Sequence, residues 1–215
     1  MQSTIVVTTP ATSIDLIELD ELKRALNITA TTSDAMLADL ITRVSAQIAA
    51  YCNNRVFGYE TVVETFTELS TDDKNRLFLA RYPIPQDDTG ITALTINGAA
   101  QAYPDGLLLD SLWGKLTLPS GVYVEQTIIE YSGGYHLPDE APPALKQAAV
   151  MLMREAYYAS VRGDATVRMI GHKESRIIYF DPNLLARSSG GAGTGGTPAQ
   201  RAAHDLLTHF TRYEA

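Results

Sequence analysis

The sequence predicts an α+β fold: a helical core built from a helical hairpin and a long third helix, a small antiparallel β region inserted into it, and a C-terminal extension. Three observations carry this. Apolar residues recur at helical spacing in three stretches, about 16–27, 33–53 and 143–161. Between the second and third, over 58–135, the pattern changes to short runs of β-branched and aromatic residues broken by turn residues. Beyond 163 lies a segment of different composition, including the low-complexity stretch Ser188–Thr197 (SSGGAGTGGT). The chain is therefore expected to divide into a domain at 1–163 and a C-terminal arm at 164–215.

Taken in order, Ser3–Thr9 reads as a short strand or extended arm stopped by Pro10. Asp15 and Glu18 have capping-box spacing, and Leu19, Leu22, Leu26 and Ile28 supply the stripe of the first helix. Thr32 or Ser33 can cap the second helix, with Asp34 in its first turn, where the helix dipole favours negative charge. Leu37, Leu40, Ile41, Val44, Ile48 and Tyr51 form its apolar face, and Asn53-Asn54 stops it, since Asn tolerates left-handed backbone. Strands are expected at Glu60–Leu69, Arg76–Ala80, Ile91–Ile96, Ala100–Tyr103, Gly114–Leu118 and Glu125–Tyr131, with Asn97-Gly98 marking a tight hairpin. In the first of these strands one face is expected to be buried and the other acidic.

Gly133-Gly134 ends the last strand, and Pro142-Pro143 opens the third helix, where the first turn has no use for the missing N–H groups. Leu145, Ala148, Ala149, Leu152, Ala156 and Tyr157 form its buried face, while Val150, Met151 and Met153 carry apolar surface onto other faces. A helix so apolar needs neighbours on most sides, in its own chain or in a second copy. In the arm, 166–180 reads as a hairpin and 188–197 as a flexible linker. Thr197-Pro198-Ala199-Gln200 then opens a terminal helix over 198–213, with Thr at the cap, Pro at the first position and Gln at the third.

Net charge is −8 over 215 residues, unevenly spread: residues 58–140 hold 4 basic and 13 acidic groups, whereas 141–215 hold 9 and 6. The acidic middle disfavours direct nucleic-acid binding, because phosphate contact wants Lys and Arg. The single cysteine, Cys52, cannot form an internal disulfide. The N-terminal stretch lacks the basic start of a signal peptide, and no apolar run approaches the roughly 20 residues that span a bilayer. His204 and His209 are five apart, unlike the i, i+4 pairing of a helical zinc site. No nucleophile elbow, phosphate-binding loop or calcium loop is present, so neither an enzyme nor a cofactor is expected.

Several motifs in order carry a family resemblance: LDELKRALNI (Leu19–Ile28), SDAMLADLITRVSAQIAAYCNNRVF (Ser33–Phe57), LFLARYPI (Leu77–Ile84), IIEYSGGYHLPDEAPPALKQAAVMLMREAYY (Ile128–Tyr158) and HDLLTHFTRY (His204–Tyr213). Together they resemble the head–tail connector (adaptor) proteins of tailed bacteriophages and related prophages. The resemblance implies a non-enzymatic virion protein of the neck, assembled in the host cytoplasm. It would form a homo-oligomeric ring, a dodecamer by family likeness, beneath the portal and next to stopper, head-completion or tail proteins. DNA would pass through the ring without sequence-specific binding, and the negative charge of 58–140 would suit such a channel. A stopper or tail-completion protein of the same neck is the alternative within that class, and a small enzyme or ligand-binding domain is the alternative outside it. Residues 164–199 look like an insertion relative to the family. The interface candidates are Met151 and Met153 on the third helix, Arg168, Ile170, Ile177 and Tyr179 on the hairpin, and Leu206, Leu207, Phe210 and Arg212 on the terminal helix.

Overall fold

The computed structural model describes residues 2–53, 55–67, 76–85, 90–101, 108–118, 125–161, 167–170, 177–179 and 197–211, with 167–170 and 177–179 as backbone only. The expected linker at 188–196, the hairpin turn, residues 68–69 and 102–103, the terminal helix beyond 211 and Arg212 lie outside them. The fold is mixed α and β, with four α-helices and antiparallel sheets among the described residues. The chain forms two compact units, one of residues 1–15 with 53–141 and one of 16–52 with 142–215.

The first unit holds β1 (Gln2–Thr9), β2 (Glu60–Thr67), β3 (Arg76–Phe78), β4 (Ile91–Ile96), β5 (Ala99–Gln101), β6 (Leu108–Asp110), β7 (Lys115–Thr117) and β8 (Gln126–Gly133). Where the sequence suggests one inserted sheet, the structure has two: five strands in the order β1-β2-β8-β4-β5 and three in the order β3-β7-β6, antiparallel throughout. The inserted segment does not supply all of the larger sheet. Strand β1 precedes the first helix and pairs with β2, from Gln2 opposite Thr67 to Thr9 opposite Thr61. Strand β6 (Leu108–Asp110) has no alternation to mark it as a strand in the sequence.

The core of this unit lies between the two sheets. Val62 and Phe66 of β2, Ile91, Leu94 and Ile96 of β4, and Ile129 and Tyr131 of β8 meet Leu77 of β3 and Leu116 of β7 in one buried cluster. Burial alternates strictly along β2, as expected for a strand with one face inward. Asn97 (φ 49°) and Gly98 (φ 79°) both take positive φ, which the two-residue turn between β4 and β5 demands. Gly134 (φ 111°) is required on a second count, since a Cβ there would strike the Gly58 carbonyl.

The second unit holds α1 (Leu19–Leu26), α2 (Asp34–Tyr51), α3 (Pro143–Val161) and α4 (Pro198–Leu207), followed by a 3-10 turn at Thr208–Phe210. Glu18 and Ser33 are the N-cap residues of α1 and α2, without a side-chain capping bond. Asn27 ends α1 in left-handed geometry, its N–H returning to the Arg24 and Lys23 carbonyls. Helix α2 buries Leu37, Leu40, Ile41, Val44 and Ile48, and its Ser45 hydroxyl accepts the Leu16 N–H at 3.1 Å. Helix α3 packs against α1, α2 and α4. Ion pairs Lys23–Asp34 (2.7 Å) and Lys146–Glu21 (3.4 Å) join α1 to α2 and to α3. Strands β9 (Val167–Ile170) and β10 (Ile177–Tyr179) form a separate two-stranded sheet.

Phe66 is fully buried at the centre of the inter-sheet core. Phe66→Ala should lower the unfolding free energy by about 3–5 kcal/mol through lost burial and the cavity left behind. Urea denaturation checks this; a loss below about 1 kcal/mol would mean that the core closes over the gap.

Candidate functional site

Three helices build one side of the candidate surface. Thr197 caps α4 with a complete capping box: its hydroxyl accepts the Gln200 N–H, and the Gln200 side chain accepts the Thr197 N–H. The same hydroxyl donates to Glu155 of α3 at 2.9 Å. The His204 ring of α4 stacks on Tyr51 of α2, with centroids 4.4 Å apart and planes 10° from parallel. The Cys52 thiol, buried at the end of α2, reaches the Leu207 carbonyl at 3.9 Å. The sequence leaves open whether this helix docks on its own subunit, a neighbour or a partner; here it is held to α2 and α3 of its own subunit.

This packing sorts the interface candidates. Met153 and Leu207 are buried within the subunit, whereas Met151, Leu206 and Phe210 are half-buried and keep outward surface. Arg168, Ile170, Ile177 and Tyr179 all fall on β9 and β10. The structure groups them on the hairpin, apart from the α3–α4 set.

Two exposed apolar features have no place among those candidates. On the smaller sheet and the turn beside it, Leu108 is 72% exposed, Leu112 62% and Trp113 46%. Scattered apolar surface is normal, but three large exposed apolar side chains within six residues of chain, Leu108 to Trp113, make a candidate contact surface. The run LLLDSLW is the available signal, but it lies between the expected strands Ala100–Tyr103 and Gly114–Leu118 and belongs to neither. The second feature is β1, which has no buried residue along its eight positions although it contains Ile5, Val6 and Val7.

The acidic face expected on β2 is overturned. Glu60 and Glu64 lie on the buried face with Val62 and Phe66. Glu64, 1% exposed, accepts the Tyr131 hydroxyl at 2.7 Å and the Ala80 N–H at 3.0 Å. The Tyr131 oxygen in turn accepts the Arg81 N–H at 3.1 Å, and the Arg81 guanidinium pairs with Glu60 at 2.7 Å. Burial pushes the Glu64 carboxyl above its ordinary value, against the bonds from Tyr131, Ala80 and Ser3 and the charge of Arg81. Burial, reinforced by the Glu64 charge, also pushes the Tyr131 phenol up. Sequence reasoning missed this network because alternation gives the face of a residue, and polarity then suggests the wrong face when the carboxylate is internally satisfied.

A second buried polar group lies in the same unit, bonded to the residue that follows Arg81. Arg55 lies 3.5 Å over the Tyr82 ring and 4.9 Å over Phe57, and donates to the Tyr82 carbonyl at 2.7 Å. Burial raises the pKa of Tyr135, opposed by Arg55. Among the described residues no group of three or more His, Cys, Asp or Glu has an arrangement that could hold a metal, and no helix is long and apolar enough to cross a membrane. The polar side chains of the Glu64 network converge in the interior and tie strands together.

A family model described as head completion protein matches residues 15–171. Two solved assemblies contain chains of similar fold. One is the neck of an empty gene transfer agent (GTA) particle computed with C6 symmetry: TM-score 0.54, 15% identity, covering 100% of this chain and 97% of that one. The other is the virion of a native GTA particle: TM-score 0.54, 13% identity, covering 98% and 96%. No curated protein matches the sequence.

The network sets a pH dependence. Because the folded-state pKa of Glu64 is raised above 4.5, its contribution to stability is fully present below that value and is lost as pH rises through the folded-state pKa. Glu64→Gln keeps an acceptor for both donors without the charge. Its stability relative to wild type should therefore increase as pH is raised from about 4 to about 7. Paired denaturation curves across that range measure the difference, and a flat difference would show that Glu64 does not change its proton affinity on folding.

Proposed function

Because the chain belongs to the head completion protein family, we propose that it is a non-enzymatic structural protein of the head–tail neck. In this reading it is an adaptor that forms a homo-oligomeric ring beneath the portal and continues the DNA channel towards stopper and tail proteins. The family match over 15–171 carries the reading, since it takes in all of β2–β8 and α1–α3. Exposed apolar surface supports it. A subunit whose cores are already closed still presents Leu108, Leu112, Trp113 and the face of β1 to the outside, as a component built for assembly would.

The acidic middle bears on the channel in a reduced form. Glu60 and Glu64 are buried and add nothing to a channel wall, whereas Asp110, Glu125, Asp139 and Glu140 are exposed. A wall carrying such acids would repel phosphate and let DNA slide without sticking. For portal contact, the half-buried Met151, Leu206 and Phe210 are the proposed surface, together with Arg212, while the hairpin residues Arg168, Ile170, Ile177 and Tyr179 are proposed for contact between copies within the assembly. The family description, head completion, also fits a stopper one layer further from the capsid. Binding to the portal or to the tail side separates the two positions.

Negative-stain imaging of the protein mixed with its portal tests the main reading, and rings of rotational symmetry on the portal are the expected result. Absence of rings with portal present would overturn it. Leu206→Asp combined with Phe210→Asp should weaken portal capture at least about tenfold, or 1.4 kcal/mol. The melting temperature of the variant serves as the folding control, and unchanged capture would remove α4 from the contact.

A further inference from the structure

We propose that in the assembled state the outer edge of β1 in one copy is covered by the β9–β10 hairpin of a neighbouring copy, extending the five-stranded sheet by strand addition. The inference rests on the ring reading above and adds which edge and which segment make the joint.

Two independent needs point to this pairing. The first is at β1. It occupies an end of the larger sheet, so among the described residues one of its edges carries backbone N–H and C=O groups with no strand beside them. Natural sheets blunt such edges with charge, proline, bulges or shortness. Strand β1 is eight residues long, and no Asp, Glu, Lys or Arg occurs before Asp15. Its register breaks only between Val7 and Thr9, next to Pro10, which leaves Gln2–Val7 regular. Val6 is 58% exposed between Ile5 and Val7, which are also exposed. This is a template for an added strand.

The second need is at the hairpin. Among the described residues β9 and β10 pair only with each other. A two-stranded sheet is marginal in water, and a third strand or a packed face is what makes one stable. The strands read VRMI and IIY, which apart from Arg168 are apolar residues, mostly β-branched or aromatic, suited to a sheet.

Strand direction argues against the two simpler occupants. Every pairing in the larger sheet is antiparallel and the strand number is odd, so its two edge strands, β1 and β5, run the same way. Neighbours related by a ring rotation would therefore meet β5 to β1 in parallel, and β5 spans only three residues. Two β1 strands could pair antiparallel across a two-fold axis, but that contact closes a dimer and cannot propagate around a ring. A hairpin has antiparallel strands and an open edge on each side, so it can meet β1 antiparallel and pass from copy to copy.

The test uses full-length chains in two pools mixed with portal. One pool carries Val6→Cys; the other carries Met169→Cys or Ile178→Cys, which lie opposite each other on β9 and β10, so both strands are sampled. A bis-maleimide linker long enough to tolerate a register offset is added, with wild-type chains as the control for Cys52. The expected result is a cross-link between pools in the ring fraction for at least one hairpin position. Val6→Lys should reduce ring yield at least about tenfold without moving the melting temperature. Rings without a cross-link between pools, or with Val6→Cys chains linked only to each other, would overturn the strand addition and leave the ring reading intact. A cross-link without rings would support the strand addition and count against the ring. Neither rings nor a cross-link would overturn both.

Discussion

One buried carboxylate holds the β unit to a single arrangement. Glu64 sits on the inward face of β2, where an unsatisfied charge would cost several kcal/mol. It is tolerated only because Tyr131 from β8 and the Ala80 N–H from the segment after β3 both donate to it. Arg81 then closes the ring of bonds through Tyr131 and Glu60. The larger sheet contributes Glu60, Glu64 and Tyr131; the connection leaving the smaller sheet contributes Ala80 and Arg81. The close-packed apolar core already resists displacement of one sheet over the other, and this set of directed bonds adds a requirement of geometry to it.

Much of the architecture was legible from period and punctuation. The stripe Leu37, Leu40, Ile41, Val44, Ile48 gave α2, although Tyr51, read as part of the same face, is exposed, and Asn97-Gly98 gave a turn whose two residues both take positive φ. These signals are local: a 3.6-residue period or a dipeptide carries the information on its own. What could not be read is non-local. That β1 joins a sheet whose other strands come after α2 depends on pairing across 53 residues, as between Thr8 and Thr61. Glu64 reads as solvated until Tyr131, 67 residues away, is seen to donate to it. Strand β6 carries neither signal.

The candidate surfaces divide in the same way. Excess apolar character on α3 was visible, but the sequence could not say how much of it the subunit consumes. Met153 is used up internally, and Met151 keeps outward area. The exposure of Leu108, Leu112 and Trp113 needed the structure to be seen, since the run alone does not say which of its apolar residues the smaller sheet buries. Assembly surfaces of this kind leave no motif, because they require area and shape rather than particular functional groups.

The pairing of β1 with β2 also has a consequence for synthesis. Translation proceeds at about 5–20 residues per second, so β1 leaves the ribosome several seconds before the strand it pairs with. The intervening chain includes α1 and α2, which belong to the other unit. Throughout that interval an uncharged strand containing Ile5-Val6-Val7 is without its partner in a cell where many copies are translated together. Chaperone capture of nascent chains, and the local density of ribosomes on a message, therefore bear on the yield of native subunit as directly as the stability of the finished fold does.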